Sequence, residues 1–385
     1  MQTTRLNLSG RAASGAKARF IMIAGFLGSG KTTAILKLAE HLKRQGRRVG
    51  LITNDQGRGL VDTTMARASA FPVEEISGGC FCCRFNSLVE ALQHLAASAQ
   101  PDVFLAEPVG SCTDLVATVA LPMKQLYGEN YRIALLSVLV DPIRAMCVLG
   151  IGDGRPFAPK VTYIYRKQLE EAPLLIINKC DLLNATQTAK LREAFRAKFP
   201  RAEVLVVSAR TGEGLTAWFD RILSDELTAT EVMDVVYITY GVGEAMLGWL
   251  NATAYLSGPT VDDNELLLRL AAALRDQLTK ADVEVAHLKM TLTVAGDGLD
   301  IAVANLVRTD ATPELSFRLA EPFTEGVLTV NLRAQAEPSF LEQIVRKVLG
   351  EFGVTLDKLA SFKPVQPNPT HRVDASGAER RPILP

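Results

Sequence analysis

The chain has 385 residues, a length that predicts two or three folding units, and we expect two domains with terminal tails. Apolar residues make up 48% of the chain and charged residues 22%, a composition that excludes an intrinsically disordered protein. Basic and acidic residues both number 42, so the formal net charge is zero, and no overall field attracts nucleic acid or anionic lipid.

The first nineteen residues carry four basic groups and no acidic group, a bias shared with organelle transit peptides. A strand pattern begins at Phe20, however, and no secretory apolar core precedes it. We therefore expect a disordered tail over residues 1–18 and a cytoplasmic location. The longest apolar runs, such as IALLSVLV (133–140), are much shorter than the roughly 18 residues that cross a bilayer, so no membrane partner is expected. In a reducing cytoplasm, clustered cysteines favour metal ligation or redox chemistry over disulfides.

Strand-like and helix-like patterns alternate through the first half of the chain, in the order FIMIAG, TAILKLAEHLKRQG, RVGLITN, SLVEALQHLAAS and VFLAEP. This alternation predicts a doubly wound, mostly parallel sheet with helices on both faces, over residues 19–228. The pattern then changes to longer strands with two helices, which predicts a smaller α+β domain with an antiparallel sheet over residues 229–362. Residues 363–385 are rich in proline and polar residues and are predicted to be a disordered tail.

The stretch GFLGSGKT, residues 25–32, fits the phosphate-loop pattern G-x-x-x-x-G-K-[ST] between a predicted strand and a predicted helix. Glycines let the backbone curl so that amide groups surround phosphate oxygens at the positive end of the helix. Lys31 would reach the β- and γ-phosphates, and the Thr32 hydroxyl would bind magnesium. The loop residues predicted to contact nucleotide are Gly25, Gly28, Ser29, Gly30, Lys31, Thr32 and Thr33.

The stretch LITNDQG places Asp55 at the end of the second predicted strand, in the crevice where parallel strands end. We predict that Asp55 is a catalytic residue linked to magnesium and to a conformational switch. Asp62 is a weaker candidate, because it could also cap a helix.

The stretch GGCFCC brings Cys80, Cys82 and Cys83 together behind a glycine pair. Neighbouring residues of a strand point to opposite faces, so convergence of the thiols requires a turn, which the glycines permit. Three thiolates form a soft site suited to zinc, copper(I), cobalt or nickel, with a fourth position open to water or a donor ligand. The alternatives are three buried apolar thiols or a redox pair. The remaining cysteines are interpreted as isolated packing residues: Cys112, Cys147 and Cys180.

The stretch VFLAEPVG places Glu107 at the exposed end of a strand and Gly110 three residues later. A carboxylate at this edge faces the nucleotide, where it can hold magnesium directly or through water, or orient the attacking water. The glycine would let a main-chain amide approach the γ-phosphate. An ordinary glutamate at the start of a helix is the alternative.

Downstream, LLIINKCD places Asn178, Lys179 and Asp181 behind an apolar strand, as in the N-K-x-D signature of GTP-binding proteins. The aspartate can accept two hydrogen bonds from the guanine edge, which adenine cannot offer, so GTP is the predicted cofactor. In VVSARTGEG, Ser208 and Ala209 lie where a main-chain amide would contact the guanine oxygen.

With these motifs in this order, the segment from about Ala18 to Leu223 resembles the CobW-like metallochaperone GTPases, relatives of the urease and hydrogenase nickel-insertion GTPases. The resemblance implies slow GTP hydrolysis coupled to delivery of a metal ion, or of a metal-containing cofactor, to a client protein. It also implies that the cysteine triplet binds the metal with a geometry that depends on the nucleotide. The chain departs from the family in having Asp55 and Gln56 where members commonly have glutamate and an aromatic residue. It has four widely spaced histidines and no histidine-rich stretch: His41, His94, His287 and His371.

The leading hypothesis is therefore a GTP-hydrolysing metallochaperone that uses magnesium, carries zinc or else cobalt or nickel, and serves a client metalloprotein or an enzyme of cobalamin metabolism. The second is a nucleotide-dependent regulatory switch that binds a cobalamin-related enzyme without carrying metal. A small-molecule kinase is a third, disfavoured by guanine selectivity. No arginine finger is identifiable, since Arg58 and Arg84 are interpreted as surface charges, and intrinsic turnover is expected to be slow. The sequence leaves open whether the chain forms a homodimer.

Overall fold

A computed structural model describes residues 16–55, 69–227, 232–257, 262–294, 300–320, 325–374 and 376–380. Outside these residues lie most of the predicted N-terminal tail (1–15), the residues Arg58 and Asp62, and the predicted domain boundary at 228–229. In the described part of the chain, no helix is long and apolar enough to cross a membrane.

The first domain contains a parallel sheet in the strand order β3-β2-β4-β1-β6-β7-β8, with β5 also paired to β1. Its central strands are buried along their whole length, as expected where helices cover both faces. The strands are β1 (Ala18–Gly25), β2 (Val49–Asp55), β3 (Val73–Ser77), β4 (Val103–Glu107), β5 (Tyr131–Ile133), β6 (Ser137–Val140), β7 (Leu174–Ile177) and β8 (Glu203–Val206).

The first helix of this domain begins directly at Lys31, the lysine of the phosphate loop. They are α1 (Lys31–Arg44), α2 (Phe85–Ser98), α3 (Leu121–Tyr127), α4 (Pro142–Leu149), α5 (Pro159–Glu171), α6 (Ala185–Lys198) and α7 (Leu215–Ser224). A π-helical turn, Val116–Ala120, leads into α3, and a 3₁₀ turn, Cys180–Leu182, follows β7.

The second domain contains an antiparallel sheet in the order β12-β11-β10-β13-β9-β14. Its elements are α8 (Tyr237–Ala245), β9 (Gly248–Ser257), α9 (Asp263–Lys280), β10 (Val285–Val294), β11 (Ile301–Leu306), β12 (Glu314–Phe317), β13 (Glu325–Ala334), α10 (Pro338–Glu351) and β14 (Thr355–Phe362). The structure confirms the predicted fold class, a parallel α/β domain followed by an α+β domain.

The two faces of this antiparallel sheet differ, because side chains alternate along each strand. One face buries apolar residues against α9 and α10, among them Leu288 and Leu332, which pair across β10 and β13. The neighbouring residues Lys289 and Arg333 lie on the opposite face, which is polar and turns toward the first domain.

The apolar run at residues 133–140 does not form one continuous strand. The segment contributes to two short strands, β5 and β6, which pair with successive parts of β1: Phe20 lies opposite Ile133, and Ile23 lies opposite Ser137. The interval is three residues on β1 but four on the other segment, so the extra residue interrupts the pairing. An unbroken apolar run does not reveal such an interruption.

Candidate functional site

The phosphate loop connects β1 to α1 and curls around its own lysine. Gly25, Gly28 and Gly30 have φ values of 137°, 78° and 90°, which side-chain-bearing residues rarely adopt. A Cβ atom at Gly30 would lie 2.5 Å from Asn178 Nδ2, so the neighbouring segment also requires glycine there. Lys31 Nζ donates hydrogen bonds to the carbonyl oxygens of Gly25 (3.0 Å) and Phe26 (3.4 Å). The loop thus has the compact, curled form that a phosphate cradle requires.

Thr32 and Glu107 face each other beside this loop. The Thr32 hydroxyl donates to Glu107 Oε1 at 3.0 Å, and both side chains are buried. Asp55, at the end of β2, lines the same cleft. Because β1, β2 and β4 are parallel neighbours, the phosphate loop, Asp55 and Glu107 all lie at one edge of the sheet. These hard oxygen donors are of the type that magnesium prefers.

Gly110 brings the loop after β4 against the phosphate loop. A Cβ atom at this position would lie 2.8 Å from Leu27 Cδ2 and 3.1 Å from Leu27 N. Such close approach to Leu27 is possible only without a side chain, and contact of the Gly110 main-chain amide with the γ-phosphate stays a prediction.

The N-K-x-D segment is joined to the phosphate loop by two side chains. Asn178 Nδ2 donates to the Ser29 carbonyl oxygen at 2.8 Å, while Asn178 Oδ1 accepts from the Ala209 amide at 3.0 Å. Lys179, in a left-handed backbone conformation, donates from Nζ to the Gly28 carbonyl oxygen at 2.6 Å. These contacts place the predicted base-binding segments next to the predicted phosphate-binding segment.

Asp181 is held in position by Ser208, whose hydroxyl donates to Asp181 Oδ1 at 2.6 Å. The Thr211 amide in turn donates to Ser208 Oγ at 3.1 Å. The Asp181 carboxylate lines the cleft together with Ala209 and Thr33. Apart from Gly25, Ser29 and Ser208, the residues predicted to contact nucleotide therefore line one cleft.

The cleft, with a volume of about 690 Å³, is also lined by the second domain, which the sequence analysis did not anticipate. Lys289 Nζ lies 3.4 Å from Thr32 Oγ1, and Arg333 Nη2 lies 3.1 and 3.3 Å from the two carboxylate oxygens of Asp55. The second-domain residues around the cleft include His287, Lys289, Asn305, Val307, Arg308, Glu314, Phe317, Asn331 and Arg333.

The thiol cluster, Cys80, Cys82 and Cys83, lies in the turn between β3 and α2. The Cys80 sulfur is 2.7 Å from the Cys82 sulfur and 3.2 Å from the Cys83 sulfur, and the Cys82 and Cys83 sulfurs are 3.8 Å apart. All three ligand atoms lie within 4.8 Å of one another, a geometry that could hold a metal ion. Gly78 and Gly79, with φ values of 77° and 153°, supply the expected turn.

Cys112 is buried in the core, as expected of a packing residue, but it is not isolated from the other thiols. Its buried thiol interacts with those of Cys80 and Cys82. Hydrogen bonds from the thiols of Cys112, Cys82 and Cys83 lower the pKa of Cys80 well below its usual value. Hydrogen bonds among the thiols, together with burial, raise the pKa values of Cys82, Cys83 and Cys112, so Cys80 is the thiol of this group that favours the metal-binding thiolate form.

The thiol cluster is connected to the cleft through Asn54, the residue before Asp55. Asn54 Nδ2 donates to the carbonyl oxygens of Ile76 (2.9 Å) and Gly79 (2.7 Å), and Asn54 Oδ1 accepts from the Phe81 amide at 3.0 Å. Cys112 provides a second connection, since it belongs to the loop of Gly110. The cluster therefore contacts two segments whose neighbouring residues line the nucleotide cleft.

Residues 368–373, which we call the C-terminal strap, lie over the thiol cluster. The Thr370 amide donates to the Cys82 carbonyl oxygen at 2.9 Å, and the Asn368 amide donates to Cys83 Sγ at 3.2 Å. Arg372 pairs with the buried Asp114 at 2.7 Å. The prediction of a disordered tail was thus wrong for this part, because long-range backbone hydrogen bonds and a buried ion pair hold a segment of low hydropathy.

Of the other residues singled out from the sequence, Arg84 and His371 lie away from the cleft and His287 lines it. Arg84 immediately precedes α2, and its side chain lies against Gly79: a Cβ atom built there would be 2.9 Å from Arg84 Cγ. The His371 ring packs against Phe85 at 4.8 Å, whereas His287 lines the cleft.

Residues 19–206 match the family described as CobW/HypB/UreG, nucleotide-binding domain. Over 90 residues the chain is 38% identical to the zinc chaperone YeiR of Escherichia coli (strain K12), and the aligned region covers 23% of this chain and 27% of that protein. Over 220 residues it is 25% identical to the zinc chaperone CobW of Pseudomonas aeruginosa, covering 51% of this chain and 58% of that protein. The chain thus spans less than two thirds of the length of either relative.

Among solved structures, the Zn(II)-bound YjiA GTPase from E. coli aligns with 87% of this chain and 99% of that chain, at 17% identity and a TM-score of 0.35. A likeness at this level supports no inference about function.

Proposed function

We propose that the protein is a GTP-hydrolysing metallochaperone, a proposal supported by the match of residues 19–206 to the family described as CobW/HypB/UreG, nucleotide-binding domain. It binds GTP in the cleft, holds a transition-metal ion on Cys80, Cys82 and Cys83, and delivers the ion to a client metalloprotein. One observation carries the proposal: the turn that contains the thiol cluster is hydrogen-bonded through Gly79 and Phe81 to Asn54, whose neighbour Asp55 lines the nucleotide cleft.

The described residues fit a guanine nucleotide along the whole cleft. The curled phosphate loop and Lys31 suit the phosphates, because main-chain amides and an ammonium group neutralise their charge. Asp181 suits the guanine edge, and its orientation by Ser208 reduces the entropy lost on binding. Hydrolysis depends on positioning and charge stabilisation, and its intrinsic rate is expected to be slow.

Thr32 and Glu107 are the residues best placed to hold magnesium, with Asp55 as a further carboxylate. Their oxygens are buried at the phosphate end of the cleft, and Thr32 already lies 3.0 Å from Glu107. Bound magnesium would neutralise charge on the β- and γ-phosphate oxygens. Glu107 or Asp55 would also orient the attacking water.

The cargo metal is proposed to be zinc, with cobalt or nickel as alternatives. Three converging thiolates are soft ligands and leave a tetrahedral ion one open position, which allows transfer to a client. The relatives named zinc chaperones support the choice of zinc. The client is proposed to be a metalloprotein, among which we include enzymes of cobalamin metabolism.

The Lys31→Ala variant tests the enzymatic half of the proposal. We expect phosphate release from GTP to fall by at least ~100-fold, because the variant lacks a buried cation that stabilises charge on the transferring phosphoryl group. The matched control is Lys347→Ala on α10, whose side chain is 56% exposed and which should hydrolyse GTP at the wild-type rate. Equal turnover in the Lys31 variant and the wild type would contradict GTP hydrolysis in this cleft.

A further inference from the structure

The second domain presents two buried cations to the phosphate end of the cleft. Lys289 lies on β10 and Arg333 on β13, the neighbouring strand, and their side chains are on the polar face of the antiparallel sheet. The Lys289 residue is 6% exposed and the Arg333 residue 3% exposed. Long cationic side chains are almost never buried to this extent unless they are paired.

Their contacts are with the residues proposed to bind magnesium. Lys289 Nζ lies 3.4 Å from Thr32 Oγ1, the hydroxyl that donates to Glu107. Arg333 Nη2 contacts both oxygens of Asp55, at 3.1 and 3.3 Å. Each cation thus lies beside an oxygen that a divalent cation would use.

Arg333 is held in this position by further contacts. Its guanidinium group lies 4.2 Å from the centre of the Trp249 ring, and Nη1 donates to the Leu250 carbonyl oxygen at 2.8 Å. These contacts come from the second domain itself, so a displacement of Arg333 by the nucleotide would be transmitted to β9 and β13.

Electrostatics explains why the cations are there. The carboxylate of Glu107 is buried and that of Asp55 is only 16% exposed, and such groups are costly without a compensating positive charge. In the nucleotide-free cleft, Lys289 and Arg333 contribute that charge. A triphosphate with magnesium brings both a divalent cation and new negative charge to the same place, so the preferred pairing changes.

We propose that Lys289 and Arg333 form a contact-exchange switch between the two domains, an inference that rests on the proposed function. Without nucleotide, Lys289 contacts the Thr32 hydroxyl and Arg333 pairs with the Asp55 carboxylate. With magnesium and GTP, Thr32, Asp55 and Glu107 turn to the divalent cation, while Lys289 and Arg333 turn to the terminal phosphate. GDP lacks that phosphate, so the position of the second domain depends on GTP hydrolysis.

The test compares the affinities of Lys289→Gln and Arg333→Lys, together with Lys289→Ala and Arg333→Ala, for GDP and for a non-hydrolysable GTP analogue in magnesium. We expect the alanine variants to lose ~10- to 100-fold of triphosphate affinity, the effect of a lost charge-assisted hydrogen bond, while GDP affinity changes less than about threefold. Arg333→Lys, which keeps the charge, should retain part of the preference for the GTP analogue over GDP. The control is Arg346→Ala, an exposed arginine on α10 paired with Glu342.

A second readout is the change in amide hydrogen exchange of β9 and β13 on adding the GTP analogue, which the alanine variants should lose. A purely structural role for the two cations predicts equal losses for GDP and the analogue, and this result would overturn the inference. Wild-type protein that binds no guanine nucleotide would refute the proposed function itself. Nucleotide binding with an unchanged triphosphate preference in every folded variant would refute only the exchange switch.

Discussion

The Asp181→Asn variant is expected to bind GTP at least ~100-fold more weakly than the wild type and to gain affinity for xanthosine triphosphate. The guanine N1–H and amino groups both donate, and the carboxylate can accept both hydrogen bonds. Each hydrogen bond to a charged group contributes about 1.5–3 kcal/mol, so the loss of one or both accounts for the expected change. Xanthine has an oxygen in place of the amino group and therefore matches the asparagine amide.

This result can be measured by competition against a fluorescent guanine nucleotide. The control is Asp220→Asn on α7, an exposed aspartate, which should leave both affinities unchanged. Ser208 should remain able to orient the substituted side chain, because its hydroxyl can donate to the asparagine oxygen as it does to Asp181. Unaltered GTP binding by Asp181→Asn would mean that the base is recognised elsewhere.

The Cys82→Ser variant is expected to weaken zinc binding by at least ~100-fold. Serine does not ionise near neutral pH and offers a hard oxygen in place of a soft thiolate. Even residues that only orient metal ligands typically contribute 10- to 100-fold to affinity, so loss of a ligand should have at least this effect. The buried Cys82 sulfur lies 2.7 Å from Cys80 and 3.8 Å from Cys83, and its removal leaves two thiols of the cluster.

Zinc affinity can be determined by competition with a chromophoric chelator under reducing conditions. Cys147→Ser is the matched control, because Cys147 is half-buried on α4 and lies outside the thiol cluster. Wild-type affinity in the Cys82 variant would contradict metal binding by the cluster and would favour the interpretation of these thiols as buried apolar groups.

The chemistry that depends on short motifs could be predicted from the sequence. The phosphate loop, N-K-x-D and GGCFCC each place their functional atoms within a few residues, so local geometry determines the arrangement. Parallel strands then bring Asp55 and Glu107 to the same edge without further information. The glycines at 28 and 30 are likewise explained by local backbone geometry, since both have positive φ.

The contribution of the second domain could not be predicted in this way. The segment VAHLKMTLTV indicates a strand, but it does not indicate that Lys289 lies 3.4 Å from Thr32, a residue 257 positions away in the chain. The C-terminal strap is a similar case, because its composition is that of a disordered tail while its partners, Cys82 and Asp114, lie far away in sequence. Contacts of this kind depend on how the domains pack.

The central claim is that the bound nucleotide, GTP or GDP, changes the metal affinity of the thiol cluster. The change is transmitted through Asn54 and the loop that contains Gly110 and Cys112. The most direct test is the zinc dissociation constant of the reduced protein in GDP and in a non-hydrolysable GTP analogue, each with magnesium. A difference of about tenfold or more between the two nucleotides is predicted, which corresponds to about 1.4 kcal/mol of coupling. Equal dissociation constants in the two states would contradict the claim.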